Sequence, residues 1–339
     1  MSSPAPDRSQ ARRTALWWAL LAVAWLLVLG LAPLAGAAEI SLPRALGFGV
    51  PEGEFNPDAQ ILFHSRLPRV LFALVAGGLL ALSGAVYQAI LRNDLADPYV
   101  LGVSGGAGFG ALLVLTLAPA AVVAFLLPAA AFAIAAAAVL LIYGMSRWRG
   151  PHTPPATFLL AGITLNLLFG AGILLTQYLS DPYQTFRMIR WLMGGVDVGS
   201  YRVVAFVAGV GGAASLVIVW RARHLDLLSL GEQTAHHLGV PVASTRRLAL
   251  FGASLVAAVV VAYAGPIGFV GLIVPHLLRL VVGPDNRVLL VACLLGGGVF
   301  LALCDTLART VLAPTELPVG VVTAFTGAPF FLWLLFRKV

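Results

Sequence analysis

Long apolar runs separated by short polar segments dominate the sequence. A membrane-spanning helix needs about 20 mostly apolar residues to cross the hydrocarbon layer. Ten runs approach or exceed that length, and the pattern predicts one span in each. The predicted spans are about 15–37, 67–91, 99–118, 121–145, 156–179, 202–220, 247–265, 267–283, 288–307 and 318–336. The predicted fold class is therefore all-α, a polytopic membrane protein with about ten transmembrane helices.

Composition supports a chain that is solvated by lipid. Hydrophobic residues make up 60% and charged residues 10% of the 339 positions, whereas soluble domains average about 25% charged residues. The chain is predicted to form a single transmembrane domain, 1–339, with a short cytoplasmic N-terminus at 1–14. Its first apolar run is longer than the ~7–15 residues of a signal-peptide core, so we expect a retained first span.

The basic residues indicate the orientation of the spans. If the N-terminus is cytoplasmic and the spans alternate, 14 of the 21 basic residues fall inside, which agrees with the positive-inside rule. Both termini are then predicted to be cytoplasmic, in a multi-pass membrane protein. The net charge of +7 does not indicate nucleic acid, because the basic residues lie at the ends of apolar runs and form no single basic stripe.

No pattern in the sequence indicates an enzyme. The one lysine is Lys338, whereas a phosphate-binding P-loop requires a lysine within its glycine-rich motif. The sequence also has no zinc-ligand spacing and no nucleophile–base arrangement, so we predict no catalytic residue, no metal site and no cofactor. A stand-alone secondary transporter or channel is the alternative, but such proteins usually place ionisable groups deep in their spans, and few are found here.

Three arginines are candidate functional residues on the predicted outer side of the membrane. Arg66 and Arg69 flank the predicted start of the second span, where a cation opposes the helix dipole and favours an acidic partner. Anchoring at the membrane interface is the alternative reading for both. Arg309 follows Asp305 by four residues, so these two side chains can pair on one helix face.

Two segments are candidate functional sites on the predicted cytoplasmic side of the membrane. The turn Asn93-Asp94-Leu95 has the composition of an ordinary loop, and these residues alone indicate nothing more. In the loop at about 221–246, Ser229-Leu230-Gly231-Glu232 matches a capping box and predicts a short helix that ends near Gly239. Such a helix could bind a cytoplasmic partner or lie on the lipid surface.

Several strings, in order along the chain, resemble the FecCD-type permeases. They are Arg66-Leu-Pro-Arg69, Ser83-Gly84-x-x-x-Gln88, Asn93-x-Leu95-Ala96-Asp97-Pro98, Leu101-Gly102-x-Ser104-x-Gly106-Ala107, Leu160-Ala161-Gly162-Ile163-x-Leu165-Asn166, Trp191-Leu-Met-Gly194, Leu230-Gly231 to Leu238-Gly239-Val240, Gly268-Phe269-Val270-Gly271-Leu272-x-x-Pro275-His276-x-x-Arg279, Asp305-x-x-Ala308-Arg309, Glu316-Leu317-Pro318-x-Gly320 and Gly327-Ala328-Pro329-Phe330. Each string is short, but the set as a whole is specific.

The resemblance implies the type II ABC importer permease fold, a membrane subunit that translocates an iron–siderophore, haem or cobalamin. It further implies a second copy of the permease, cytoplasmic ABC ATPase subunits and a periplasmic substrate-binding protein as partners, within the lipid bilayer of the bacterial inner membrane. By likeness, Arg66, Arg69 and Arg309 meet acidic residues of the binding protein, and Asn93, Asp94 and Leu95 form a cytoplasmic gate. The coupling helix that contacts the ATPase would comprise Leu230, Gly231, Glu232, Ala235, Leu238, Gly239 and Val240. One departure is Asp94, where the family usually has proline.

Overall fold

The computed structural model describes residues 8–48, 55–149 and 155–338. The α-helices are α1 (Arg8–Leu31), α2 (Leu42–Ala45), α3 (Pro57–Ala59), α4 (Leu67–Leu91), α5 (Val103–Leu117), α6 (Ala120–Arg149), α7 (Pro155–Leu179), α8 (Pro182–Leu192), α9 (Tyr201–Trp220), α10 (Ala222–Ser229), α11 (Glu232–His237), α12 (Val242–Ala264), α13 (Val270–Val282), α14 (Asn286–Thr310) and α15 (Val319–Lys338). Short 3₁₀ turns cover Ala32–Leu34 and Pro98–Leu101, and a π-helical segment covers Gln60–Arg66.

The long helices coincide with the ten apolar runs of the sequence. Within the described residues, seven helical stretches are long and apolar enough to cross a membrane, and α5, α13 and α15 are shorter apolar helices at the third, eighth and tenth predicted spans. No strand occurs in the ranges given above. The prediction of an all-α, polytopic fold is confirmed, and the helix bounds differ from the predicted spans by a few residues. The predicted N-terminal tail lies partly outside the described residues, and from Arg8 onward it continues α1 as helix.

The centre of the bundle is α4, which is buried along most of its length. It packs on α14 through glycines that bring the two backbones into contact. A Cβ atom on Gly77 would overlap the carbonyl oxygen of Gly297, and one on Gly78 would overlap that of Leu294. Small residues at such a crossing permit the close helix approach that is common between membrane spans. This contact sets the position of α4 in the bundle. The polar clusters described below lie at its two ends.

The helical stretch that contains α4 begins earlier than the sequence analysis placed it. Asn56 accepts a hydrogen bond from the N–H of Ala59 at 3.1 Å, Pro57 occupies the first helical position, and the π-helical segment continues into α4. Arg66 and Arg69 are therefore not at a helix N-terminus, and the argument from the helix dipole was wrong. The signal was present in the sequence, because asparagine followed by proline is a typical helix start.

Candidate functional sites at the two ends of the bundle

A buried ion cluster joins α4 to α14. Arg69 donates to Asp305 Oδ1 from Nε at 3.0 Å and lies 2.9 Å from it through Nη2, while Arg309 Nε donates to Asp305 Oδ2 at 3.0 Å. The Asp305 side chain is fully buried. The predicted contact between Asp305 and Arg309 is confirmed, and the same carboxylate also binds an arginine 236 positions away. Buried charges need such partners, because an unpaired one is costly.

The remaining donors of this cluster hold the segment that follows α1. Arg66 donates to the carbonyl oxygens of Pro33, Leu34 and Ala38, and Arg309 donates to those of Ala32 and Ala35. All three predicted docking arginines thus lie together at one end of α4 and α14, and each is buried. Their present partners are within the chain.

Two acidic side chains form the exposed edge of the cluster. Glu316 Oε2 accepts a hydrogen bond from Arg69 Nη1 at 2.7 Å, and Asp197 lies 4.0 Å from the same nitrogen. The Glu316 side chain is 47% exposed and that of Asp197 is 70% exposed, whereas that of Arg69 is 9% exposed. The sequence analysis did not connect either carboxylate with Arg69, because both are distant in sequence. A carboxylate approaching from solvent would therefore meet Glu316 before Arg69.

At the other end of α4, the turn at 92–97 is closed by its own side chains. Arg92 ends the helix in the left-handed conformation, with φ 49°. Asn93 Oδ1 accepts from the N–H of Leu95, and Asp97 Oδ1 accepts from the N–H of Tyr99, each at 2.9 Å. The turn chemistry predicted for these asparagine and aspartate residues is observed. Burial raises the pKa of Asp97 to about 6, although the hydrogen bond from Tyr99 acts in the opposite direction.

A polar network ties this turn to α13. Arg279 Nη1 donates to Asp94 Oδ1 at 2.7 Å, and Arg279 Nη2 donates to Gln88 Oε1 at 3.1 Å. Gln88 in turn donates to the carbonyl oxygen of Leu272 at 3.2 Å. Asp94 is thus the residue through which the turn contacts α13, at the position where the chain departs from the proline typical of the family it resembles.

The turn also contacts the break between α12 and α13. The Tyr99 hydroxyl donates to the Ile267 carbonyl oxygen and accepts from the Ile267 N–H, both at 2.8 Å. Asn166 on α7 donates to the Tyr99 carbonyl oxygen at 2.8 Å. Within the break, Gly265 and Phe269 have positive φ values of 66° and 69°. The two helix interruptions are therefore directly hydrogen bonded to each other.

Beside this break, an apolar groove of about 660 Å³ opens at the surface of the chain. Its walls come from the end of α8, the α12–α13 break and α15. The lining includes Met193, Pro266, Gly320, Phe325 and Pro329. A Cβ atom on Gly320 would overlap the Met193 carbonyl oxygen, so α15 and the segment after α8 are in backbone contact at the groove.

The loop at 221–246 contains two helices, and its capping-box prediction was wrong. Ser229 is the last residue of α10, where its hydroxyl donates to the Asp226 carbonyl oxygen, and Gly231 precedes α11 without a side-chain cap. The apolar residues of α10 pack inward, which extends that helix through Ser229. Glu232 instead forms an ion pair with Arg246 at the start of α12.

The end of α11 agrees with the predicted helix stop. Gly239 has φ 80° and donates to the carbonyl oxygen of His236, while the N–H of Val240 donates to that of Ala235. This is a Schellman motif, with Val240 packed against Ala235. Leu230 and Leu238 on either side of α11 are exposed by 67% and 58%.

The loop is also anchored to three membrane helices. Asp226 on α10 accepts from the backbone and side-chain nitrogens of Asn286, at the start of α14, at 2.9 and 2.7 Å. Arg246 on α12 pairs with Glu232 and lies over the Phe158 ring of α7, 5.9 Å from its centroid. A displacement of the loop would therefore be transmitted through these contacts to α7, α12 and α14.

Comparison with known sequences places this architecture in a family. Residues 20–337 match the sequence profile of the FecCD transport family. The chain belongs to the FecCD transport family. Among relatives in this family, it is 46% identical to the cobalamin import system permease protein BtuC of Halobacterium salinarum over 304 residues, covering 88% of this chain and 78% of the relative. It is 41% identical to the hemin transport system permease protein HmuU of Yersinia pestis, covering 82% and 84%.

A solved structure of a related transporter has the same fold as this chain. A structure described as an inward-facing conformation of a metal-chelate type ABC transporter superposes with a TM-score of 0.83 at 31% identity, covering 95% of this chain and 99% of that one. The vitamin B12 import system permease BtuC of Citrobacter koseri is 36% identical over 334 residues, which cover 97% of this chain. The chain is the membrane-spanning permease of an ABC importer, and the alternative of a stand-alone transporter is not favoured.

Proposed function

We propose that this permease imports a metal chelate across the cytoplasmic membrane, with energy from separate ATPase subunits that bind α10 and α11. The observation that carries the proposal is the combination of two exposed leucines, Leu230 and Leu238, with an anchored loop. An apolar surface in a segment outside the membrane spans favours a protein partner. The ion pair from Glu232 to Arg246 supports a role in transmitting movement of that partner to α12.

The second contact is proposed at the opposite end, where a periplasmic binding protein would dock. Arg66, Arg69 and Arg309 are grouped, as the resemblance implies, but their burial means that a docking carboxylate must exchange with a carboxylate already present. Glu316 is the natural leaving partner, because it is half-exposed and holds Arg69 through one nitrogen. Asp305 would stay in place, since it is fully buried between Arg69 and Arg309.

The turn at Asn93, Asp94 and Leu95 is proposed as the cytoplasmic gate. It contacts α13 through Arg279, and the adjoining Tyr99 contacts the break before α13. A change in the angle of α13 would alter both contacts together. In this orientation both chain termini are cytoplasmic, as the distribution of basic residues predicts.

A second copy of the chain is proposed to complete the pathway. Along α7, apolar side chains such as Leu167 and Leu174 are exposed by 71% and 67%, and on α15 Phe325 is exposed by 77%. Two copies that pack through α7 and α15 around a two-fold axis would bring their grooves beside α8 and α15 to face each other. Facing grooves with apolar walls suit a bulky organic chelate. The substrate candidates are haem, cobalamin and ferric siderophores. The relatives described above are named for transport of the first two.

The test is reconstitution in vesicles. The chain alone should transport nothing, whereas addition of the ATPase and binding protein of the same importer should give ATP-dependent uptake. Uptake by the chain alone would contradict the proposal and favour a secondary transporter or channel. The absorbance spectrum of the binding protein as purified would then distinguish haem, cobalamin and ferric siderophores.

A further inference from the structure

An apolar cleft of about 490 Å³ lies between α6 and α9, with α12 as its floor. Every residue that lines it is apolar except for the Tyr263 phenol. The central lining residues are Phe125, Pro128, Phe132, Phe206, Ala262 and Tyr263. Phe125 and Phe206 are exposed by 78% and 51%, and α6, α9 and α12 all have the length and composition of membrane spans, so lipid hydrocarbon can enter the cleft from the side.

The sequence contains a cause for this cleft. Pro128 lies inside α6, where it has no N–H to donate to the carbonyl of Ala124. Ala129 on the α6 wall and Ala262 on the α12 floor line the cleft with small side chains. A proline within α6 and two small residues therefore leave room for the cleft, and larger side chains at the two alanine positions would fill it.

A cation lies one turn beyond the cleft. Arg202 in the first turn of α9 is exposed and precedes Phe206 by four residues, so both side chains project from the same face of α9. Within the described ranges, no ion pair involves Arg202. An apolar cleft with an arginine at its end matches an acyl chain joined to a phosphate.

We propose that the cleft binds an anionic phospholipid. One acyl chain lies between Phe132 and Phe206, against Ala262, and the phosphate of the headgroup binds Arg202. The site is separate from the groove beside α15 and from both candidate partner contacts. A bound lipid would join α6 to α9, both of which pack against α12.

Photocrosslinking of the full chain tests this assignment. The chain is reconstituted in phosphatidylcholine vesicles with a small fraction of phosphatidylglycerol or phosphatidylcholine that carries an acyl-chain diazirine, and adducts are mapped by mass spectrometry. Phosphatidylglycerol adducts should concentrate on the lining residues of α6, α9 and α12. Ala129→Phe and Ala262→Phe should remove most of them, whereas Ala137→Phe, an exposed position of α6 outside the cleft, should not.

Arg202→Gln tests the proposed contact with the lipid phosphate and does not change the lining of the cleft. It should reduce the preference for phosphatidylglycerol over phosphatidylcholine by about two- to fivefold, as expected for loss of one exposed charge contact. Adducts spread evenly over the lipid-facing helices would overturn the proposal. So would protection of Arg202 by inorganic phosphate without adducts in the cleft, which would indicate a free anion. Chain-to-chain crosslinks at the cleft would indicate that a second copy covers it, again contrary to the proposal.

Discussion

Asp94 accepts a hydrogen bond from Arg279 at 2.7 Å, although 185 positions separate the two residues. The contact joins the turn after α4 to the last turn of α13, and Gln88 adds a second hydrogen bond to the same guanidinium. A proline at position 94 would stiffen the turn through its backbone. In this chain the turn is instead held by the Arg279 side chain of α13.

Loss of this pair should loosen the turn. Asp94→Asn should weaken the contact by about 0.2–1 kcal/mol, the range for a solvent-exposed pair, and raise basal ATP turnover of the assembled transporter. Asp94→Pro should also change basal turnover, because it removes the pair and stiffens the backbone. Arg92→Gln serves as the control, since it removes a charge from the same turn and leaves the pair intact. Unchanged turnover in both Asp94 variants would indicate that the turn is only a connector.

The Schellman motif at Gly239 should be necessary for coupling. Gly239→Pro forces φ from 80° to about −65° and removes the donor to His236, a change worth ~3 kcal/mol or more in local structure. Substrate-stimulated ATP hydrolysis should be lost while membrane insertion is retained. Gly209→Ala, in the open on α9 at an ordinary φ, is the matched control. Normal coupling in Gly239→Pro would refute the role of α11.

Removal of the carboxylate at Glu316 should speed docking of the binding protein. Glu316→Gln removes the competitor for Arg69, so the association rate at low salt should rise by about two- to fivefold. Glu39→Gln, another exposed acid near the segment held by Arg66, is the control. Reversal of Arg66 and Arg69 to glutamate should slow docking, but it would also place new carboxylates beside Asp305. A slower rate in Glu316→Gln would contradict carboxylate exchange, whereas no docking to the native chain would contradict the docking site itself.

Asp97 should give the stability of the chain a pH dependence. Its pKa is raised to about 6, so the folded chain binds a proton more tightly than the unfolded chain between about pH 4 and pH 6. The free energy of unfolding should therefore fall as pH rises through this window. Asp97→Asn keeps an oxygen that can accept from the N–H of Tyr99 and removes the titration. Thermal unfolding of the purified chain in detergent should lose that part of its pH dependence in the variant, and equal slopes for the two chains would contradict the assignment.

The membrane spans could be predicted from the sequence because each run is long and bounded by charged or helix-breaking residues. The short helices were harder. The amphipathic helix α8 follows Asp181, which accepts from the N–H of Gln184, and that cap together with Pro182 was an available signal. At Ser229 the local motif gave the wrong boundary, because burial of Leu225 and Leu228 extends α10 past the point where a cap would begin.

The polar partners could not be predicted from sequence spacing. Arg69 meets Asp305, and Arg279 meets Asp94, across separations of 236 and 185 positions that only the packing of α4 with its neighbours determines. The sequence correctly placed Asp305 with Arg309 because both lie on one helix, four residues apart. Pairs within one element follow from helix geometry, whereas pairs between elements require the fold.

The hydroxyl of Tyr99 limits how far the two helix interruptions can move relative to each other. It holds both the N–H and the carbonyl of Ile267, while Asn166 holds the Tyr99 carbonyl from α7. The two helix interruptions therefore cannot separate without the loss of both hydrogen bonds between Tyr99 and Ile267. If the turn gates the pathway as proposed, a change in the angle of α13 must either break these bonds or carry the Pro98–Leu101 segment and the adjoining part of α7 with it.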